Sequence, residues 1–107
     1  MAKRPKFTLI FAPQAIEHLD RIESKHHRLL RQTINEQPTY TPTDETRNRK
    51  LLEPPAPFEA SWELRCGPKN LFRVLYDVDL AAQEVWILAI GIKDRNRLLI
   101  GEEEYDS

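Results

Sequence analysis

Trp62-Glu63-Leu64-Arg65-Cys66-Gly67-Pro68-Lys69-Asn70-Leu71-Phe72-Arg73-Val74-Leu75-Tyr76-Asp77-Val78 decides the fold class. On either side of a turn at Gly67-Pro68-Lys69-Asn70, apolar and polar side chains alternate with period two. Residues 60–65 set Trp62 and Leu64 on one face and Glu63 and Arg65 on the other. Residues 71–78 set Phe72, Val74, Tyr76 and Val78 against Arg73, Leu75 and Asp77. Successive side chains of a strand point to opposite sides of its sheet, so the pattern predicts two strands with one apolar face each. Asp79 to Gln83 supplies a second turn. Glu84 to Ile92 is the most apolar run of the three, the profile of a central strand covered on both sides. Connections this short make the three strands an antiparallel meander.

The preceding segments supply what the sheet packs against. Lys6 to Ala12 carries Phe7, Leu9 and Phe11 at period two and predicts an opening strand. Pro13 stands where helices often begin, since its missing N–H would be unpaired there anyway. From Gln14 to Gln37, Ala15, Ile16, Leu19, Ile22, Leu29, Leu30 and Ile34 recur mostly at steps of three and four. That is one amphipathic stripe, broken near Ser24-Lys25-His26-His27, and it predicts a helical hairpin or a kinked helix. Residues 38–58 hold five prolines and no periodicity. A long loop is expected there, with a basic knot at Arg47-Asn48-Arg49-Lys50 and a short extended piece at Lys50–Glu53. The tail from Gly101 to Ser107 is acidic. Strands following helices argue an α+β fold with the helices on one sheet face, in a single domain over residues 1–107.

Bulk properties narrow the function classes. A 40% hydrophobic and 31% charged composition is that of a globular protein. No apolar run approaches the roughly 20 residues that a membrane helix needs. Met1 to Lys6 is basic, but only Phe7 to Ala12 precedes Pro13, too short for a signal-peptide core, so a cytoplasmic location is expected. The net charge of −1 averages a polarised chain. Residues 1–50 carry ten Lys/Arg against six Asp/Glu, and residues 51–107 carry six against eleven. Local basic patches can therefore form although the whole-protein field does not attract nucleic acid.

Cys66 is the one cysteine and cannot form an internal disulfide. On a helix the adjacent His26 and His27 would point about 100° apart, so they cannot share a metal. No metal site and no cofactor is expected. Arg65 and Arg73 alternate out of phase with the large apolar residues and should emerge on the less apolar sheet face. Lys93 follows the last strand, with Arg95 and Arg97 just after. Such a face suits phosphate, because arginine offers a fixed fork of donors, and it equally suits salt bridging across strands, as between Arg73 and Glu63. Glu63 and Asp77 share that face, balancing charge or serving as a weak base. Tyr76 falls with the core residues, and His18 reads as a partly buried structural histidine. With no histidine placed beside Cys66 or a serine, nucleophilic catalysis has no support.

Taken in order, Trp62 to Gly67, Phe72 to Val78 and Ile87-Leu88-Ala89-Ile90-Gly91-Ile92-Lys93 resemble the three-strand core of RelE/ParE toxins. The shared pattern is a leucine–arginine pair, a glycine turn, an arginine followed by an aliphatic pair and tyrosine, and an isoleucine–glycine–x–lysine end. The opening strand, Pro13 and the helical hairpin match the family order, so the resemblance spans nearly the whole chain. It implies the toxin of a type II toxin–antitoxin system, neutralised by a small antitoxin. RelE-like members cut messenger RNA in the ribosomal A site, whereas ParE-like members poison DNA gyrase. The resemblance implies first a metal-independent, ribosome-dependent endonuclease. The alternatives are a non-enzymatic gyrase poison and a family member that mainly binds its antitoxin. Arg73 matches the family's strand arginine that stabilises transition-state charge, Lys93 or Arg95 falls near a second basic residue, and Arg65 matches a common strand-end arginine. Arg47, Arg49, Lys50 and Lys69 are then expected to hold the RNA backbone. Where RelE itself carries closely spaced lysines, this chain has Ser61 and Glu63. The family's late catalytic tyrosine has only Tyr105 as a counterpart.

Overall fold

The computed structural model describes residues 6–106, so most of the basic N-terminal run, residues 1–5, lies outside the described residues. Strand β1 (Thr8–Phe11) leads into helix α1 (Pro13–Asp20), which starts on the proline. A 3-10 turn at Ser24–His26 interrupts the apolar stripe, and helix α2 (His27–Glu36) completes the expected hairpin. The stripe is what the two helices bury, through Ala15, Leu19, Ile22, Leu30 and Ile34. Within the long connection lies a three-residue strand β2 (Arg49–Leu51), overlapping the extended piece expected at Lys50–Glu53. The meander follows as β3 (Trp62–Cys66), β4 (Phe72–Asp79) and β5 (Glu84–Asp94). Gly67 makes its first turn at φ 84°, and a Cβ there would lie 2.5 Å from the Phe72 ring, so the turn needs glycine twice over.

The sheet extends beyond the expected meander. Two short strands add a further hairpin: β6 (Arg97–Ile100), just before the segment expected to be an acidic tail, and β7 (Glu103–Asp106), within it. The order is β2-β3-β4-β5-β6-β7, with β1 pairing parallel to β5. β4 runs along one edge of β5. Along the other edge, β1 covers Glu84 to Ile87 and β6 covers Gly91 to Asp94. In the gap between them the Ile90 N–H donates to His18 Nδ1 of α1 at 3.3 Å. β5 is thus central over its length, which accounts for its apolar sequence.

Each face of the sheet carries its own core. Beneath the helices lie Trp62, Leu64, Phe72, Val74, Tyr76, Val85, Ile87 and Ile90. On the opposite face Leu75, Ala89, Leu98 and Ile100 form a smaller cluster with Ala60, joined by partly buried Leu52, Phe58 and Tyr105. Leu98 and Ile100 come from β6, so part of this second core lies on a strand beyond the expected meander, while Leu75 and Ala89 lie on β4 and β5. The tyrosine hydroxyl of Tyr76 is buried and donates to the Pro42 carbonyl at 2.8 Å, pinning the long connection to the sheet. A buried hydroxyl without such a partner would cost on the order of 1–3 kcal/mol.

Candidate nucleic-acid interface

Register places the cations on one face, away from the helices. Arg65 stands directly opposite Arg73, and Arg73 opposite Gly91. Lys50 stands opposite Glu63 on the neighbouring row. Lys93 is two residues beyond Gly91 on β5, so it shares that face, and its backbone N–H donates to the Leu71 carbonyl at 2.8 Å. The place of a side chain at Gly91 is taken by β6, since a Cβ there would lie 2.8 Å from Ile100 Cγ1 and 3.1 Å from Leu98 Cδ1.

One carboxylate holds this group. Glu63 Oε1 lies 3.2 Å from Arg65 Nε, 3.6 Å from Arg73 Nε and 4.0 Å from Lys50 Nζ. The sequence allowed either a phosphate-binding face or a cross-strand bridge between Arg73 and Glu63. The bridge exists, and the other two cations join it. The side chains of Glu63 and Arg73 are 12% and 11% exposed, Arg65 37% and Lys50 53%, so the cluster opens to water on the Lys50 and Arg65 side. Arg73 is further fixed by donating from Nη1 to the Asn70 carbonyl and, at 3.3 Å, to the Phe72 carbonyl. Burial pushes the Arg73 pKa down, while Glu63 acts to raise it and Arg65 to lower it.

The remaining expected cations divide. Lys69 and Arg95 are exposed in the β3–β4 and β5–β6 turns, both with positive φ. Those turns sit at one end of the sheet, because Phe72 pairs with Ile92 beside them. Exposed Arg47 reaches the same end, since its neighbour Asn48 accepts the Arg65 N–H at 2.7 Å. The fold therefore brings Arg47, Arg65, Lys69, Arg73, Lys93 and Arg95 to one end of the sheet from three strands and the loops beside them. Arg49 does not join them. It is buried at 6% exposure and donates from Nη1 to the Thr41 carbonyl and, at 2.8 Å, to Thr41 Oγ1. Strand pairing in β2 turns it inward, opposite Leu64, while Lys50 turns outward.

Groups able to move protons are sparse near the cations. Tyr105 pairs with Leu98 and Leu98 with Lys93, so β7 returns this tyrosine to the same sheet face. Its hydroxyl donates to Glu103 Oε2 at 3.1 Å. Burial first, then the Glu103 hydrogen bond and charge, raise its pKa above the ordinary phenol value, so it is a proton donor rather than a base near neutrality. No sequence signal marked the alignment of Tyr105 with Lys93, because it depends on the unassigned β6. The histidines are held elsewhere. His18 accepts from Ile90, His26 stacks edge-on with Phe72 at 5.0 Å, and His27 Nε2 lies 2.7 Å from the Ile22 carbonyl oxygen. Cys66 is buried beneath the helices and its thiol is pushed up to about 11 by burial, so it is no nucleophile at neutral pH. Among the described residues no three His, Cys, Asp or Glu side chains converge as metal ligands would. No described helix is long and apolar enough to cross a membrane.

No protein-family model and no curated protein sequence matches the chain. Solved structures do. A chain of the toxin–antitoxin complex RelBE2 from Mycobacterium tuberculosis superposes with a TM-score of 0.67 at 19% identity, covering 82% of this chain and 99% of that one. A chain of the archaeal RelE–RelB complex from Pyrococcus horikoshii gives a TM-score of 0.52 at 17% identity, covering 84% and 98%. At these identities the likeness is one of fold.

Proposed function

We propose that this chain, which has the fold found in RelE toxin–antitoxin complexes, works as the toxin of such a pair and cuts messenger RNA on the ribosome without a metal. The observation that carries the proposal is the gathering of Arg65, Arg73, Lys93 and Lys50 on one sheet face, with exposed Arg47, Lys69 and Arg95 in the loops at the end of the sheet beside Arg65 and Arg73. Arg73 and Arg65 would stabilise charge developing on a phosphate attacked by the neighbouring ribose 2′-hydroxyl, with Lys93 and Arg95 assisting. Arg47, Lys50 and Lys69 would hold the RNA backbone on either side. Tyr105 would act at most as proton donor to the leaving oxygen. With no histidine among the cations, proton transfer loses its usual agent, which costs roughly 10²–10⁴ in rate. Positioning must compensate, and the ribosome would supply it by holding the message in line. A small antitoxin would neutralise the chain by laying an acidic or amphipathic segment over the cationic end, and both proteins would act in the cytoplasm.

The same lack of a proton-transfer partner favours a second reading, a non-enzymatic ParE-like toxin that binds DNA gyrase. Mapping message ends in cells that express the chain alone separates the two. Cuts concentrated within translated codons support the endonuclease. Intact messages with stalled DNA replication support the gyrase reading, and intact messages with normal growth contradict both.

A further inference from the structure

All three ion pairs of the cluster end on a single oxygen, Glu63 Oε1. Both arginines approach it through Nε, not through a two-pronged fork gripping both carboxylate oxygens, which is the stronger geometry for a dedicated arginine–carboxylate pair. One negative charge also leaves three cations from three strands undercompensated. Arg65 and Arg73 are directly opposed, a like-charge placement that sheets disfavour unless an anion sits between them. The arrangement is that of a site built around a small, multiply charged oxyanion, with a carboxylate oxygen standing at its centre.

We propose that Glu63 is an internal stand-in for phosphate, so that an RNA phosphodiester enters by displacing the Glu63 carboxylate from the arginines. This inference rests on the RNA-directed reading of the same face and adds a residue that sets how readily the face takes its ligand. The route is open on the correct side. Lys50 and Arg65 are the exposed members and meet the incoming anion first, whereas Arg73 and Glu63 lie beneath. Glutamate has rotatable bonds enough to swing away, while Arg73 stays anchored by the Asn70 and Phe72 carbonyls. In the free protein the carboxylate relieves repulsion between the arginines. In the complex it opposes the phosphate, so the chain gives up affinity for anions to keep its empty site stable. A single-stranded message, pressed onto the face by the ribosome, overcomes that opposition more readily than a free anion does.

Glu63→Gln keeps the shape and removes the charge, and Glu63→Asp keeps the charge but withdraws it from the arginines. Binding of inorganic phosphate and of a ten-nucleotide single-stranded RNA to each purified protein, at low salt, reads the effect. Both variants should bind RNA more tightly than wild type, Glu63→Gln by roughly tenfold, since one opposing charge is gone. Tighter RNA binding without tighter phosphate binding would still place the displaced group on the backbone path. Equal or weaker RNA binding by both folded variants would overturn the proposal and leave Glu63 a structural counter-ion. If Glu63→Gln fails to fold, Glu63→Asp alone decides by the same comparison. The two readings fail differently. Tighter binding in variants of a chain that leaves growth and messages intact would sustain this inference and sink the toxin reading. Unchanged binding in a chain that cuts messages would do the reverse.

Discussion

Arg65 on β3 and Arg73 on β4 are directly opposed partners, and the carboxylate of Glu63 reaches both, at 3.2 and 3.6 Å. Two guanidinium groups placed face to face work against folding, yet strand pairing fixes them there. Replacing one with a neutral polar residue should therefore cost little stability. Arg65, the more exposed partner, gives the cleaner test. Arg65→Gln is expected to change unfolding free energy by less than about 1 kcal/mol, because a partly exposed ion pair is lost while repulsion is relieved. Chemical denaturation of the purified variant measures this. A loss of several kcal/mol would mean that Arg65 is a packing residue.

Arg49 should behave in the opposite way. Its guanidinium is buried and bound to Thr41, beside the Tyr76 hydroxyl that grips Pro42. Arg49→Ala removes both the filling and the hydrogen bonds, and should lower stability by roughly 2–4 kcal/mol. Arg47→Ala, exposed two positions earlier, should lower it by less than about 0.5 kcal/mol and weaken RNA binding instead. Denaturation melts of the two variants side by side make the comparison. Equal effects would contradict the inward placement of Arg49.

That pair also shows where sequence reading stops. The knot Arg47-Asn48-Arg49-Lys50 offers three cations with nothing in composition to separate them. Only the pairing of β2 with β3, which turns Arg49 toward Leu64, makes one structural. Within the meander, by contrast, period-two alternation sufficed to put Tyr76 in the core and Arg65 and Arg73 together on the far face. The hairpin of α1 and α2 was legible for the same reason, an apolar stripe with one break. β7 escaped because a four-residue strand that starts inside Glu102-Glu103-Glu104 resembles a solvated tail, and β6 because it is only four residues long. Leu98 and Ile100, at period two before the Gly101 turn, were the available signal. With those strands went part of the second core and the alignment of Tyr105. The sharing of Glu63 by three cations was not readable, since it depends on side-chain reach across three strands.

Cys66 provides a check on the helix-covered core. Its thiol is buried and pushed up to about 11, so the reactive thiolate is scarce at pH 8. Native protein should resist alkylation by iodoacetamide at pH 8 for hours, and denatured protein should react within minutes. Rapid labelling of the native chain would show that the α1–α2 hairpin opens readily over β3.

His18 ties stability to pH. Burial, the largest cause, holds its pKa below the ordinary histidine value, with Glu17 raising it and Arg21 lowering it. The neutral ring accepts the Ile90 N–H at the gap in the β5 edge, and protonation on Nδ1 abolishes that bond. Because the unfolded chain takes up the proton more readily, the contribution of His18 is complete above the ordinary histidine value, about 6.5. It is lost as pH falls from there through the lower folded value. Melting temperature should drop between pH 7.5 and pH 5 in wild type, and drop less in His18→Gln. Identical pH slopes for the two proteins would remove His18 from that role.

The cationic end of the sheet is proposed to act on messages in the cell. That proposal is tested most directly by inducing the chain without a partner and following growth and message ends, with Arg65→Gln and Arg73→Gln induced in parallel. The purified variants are melted to confirm that they fold. Wild type is predicted to halt growth and leave messages cut within codons, while folded Arg65→Gln and Arg73→Gln grow normally with intact messages. Growth arrest with the same message ends in both folded variants would show that Arg65 and Arg73 take no part in cutting.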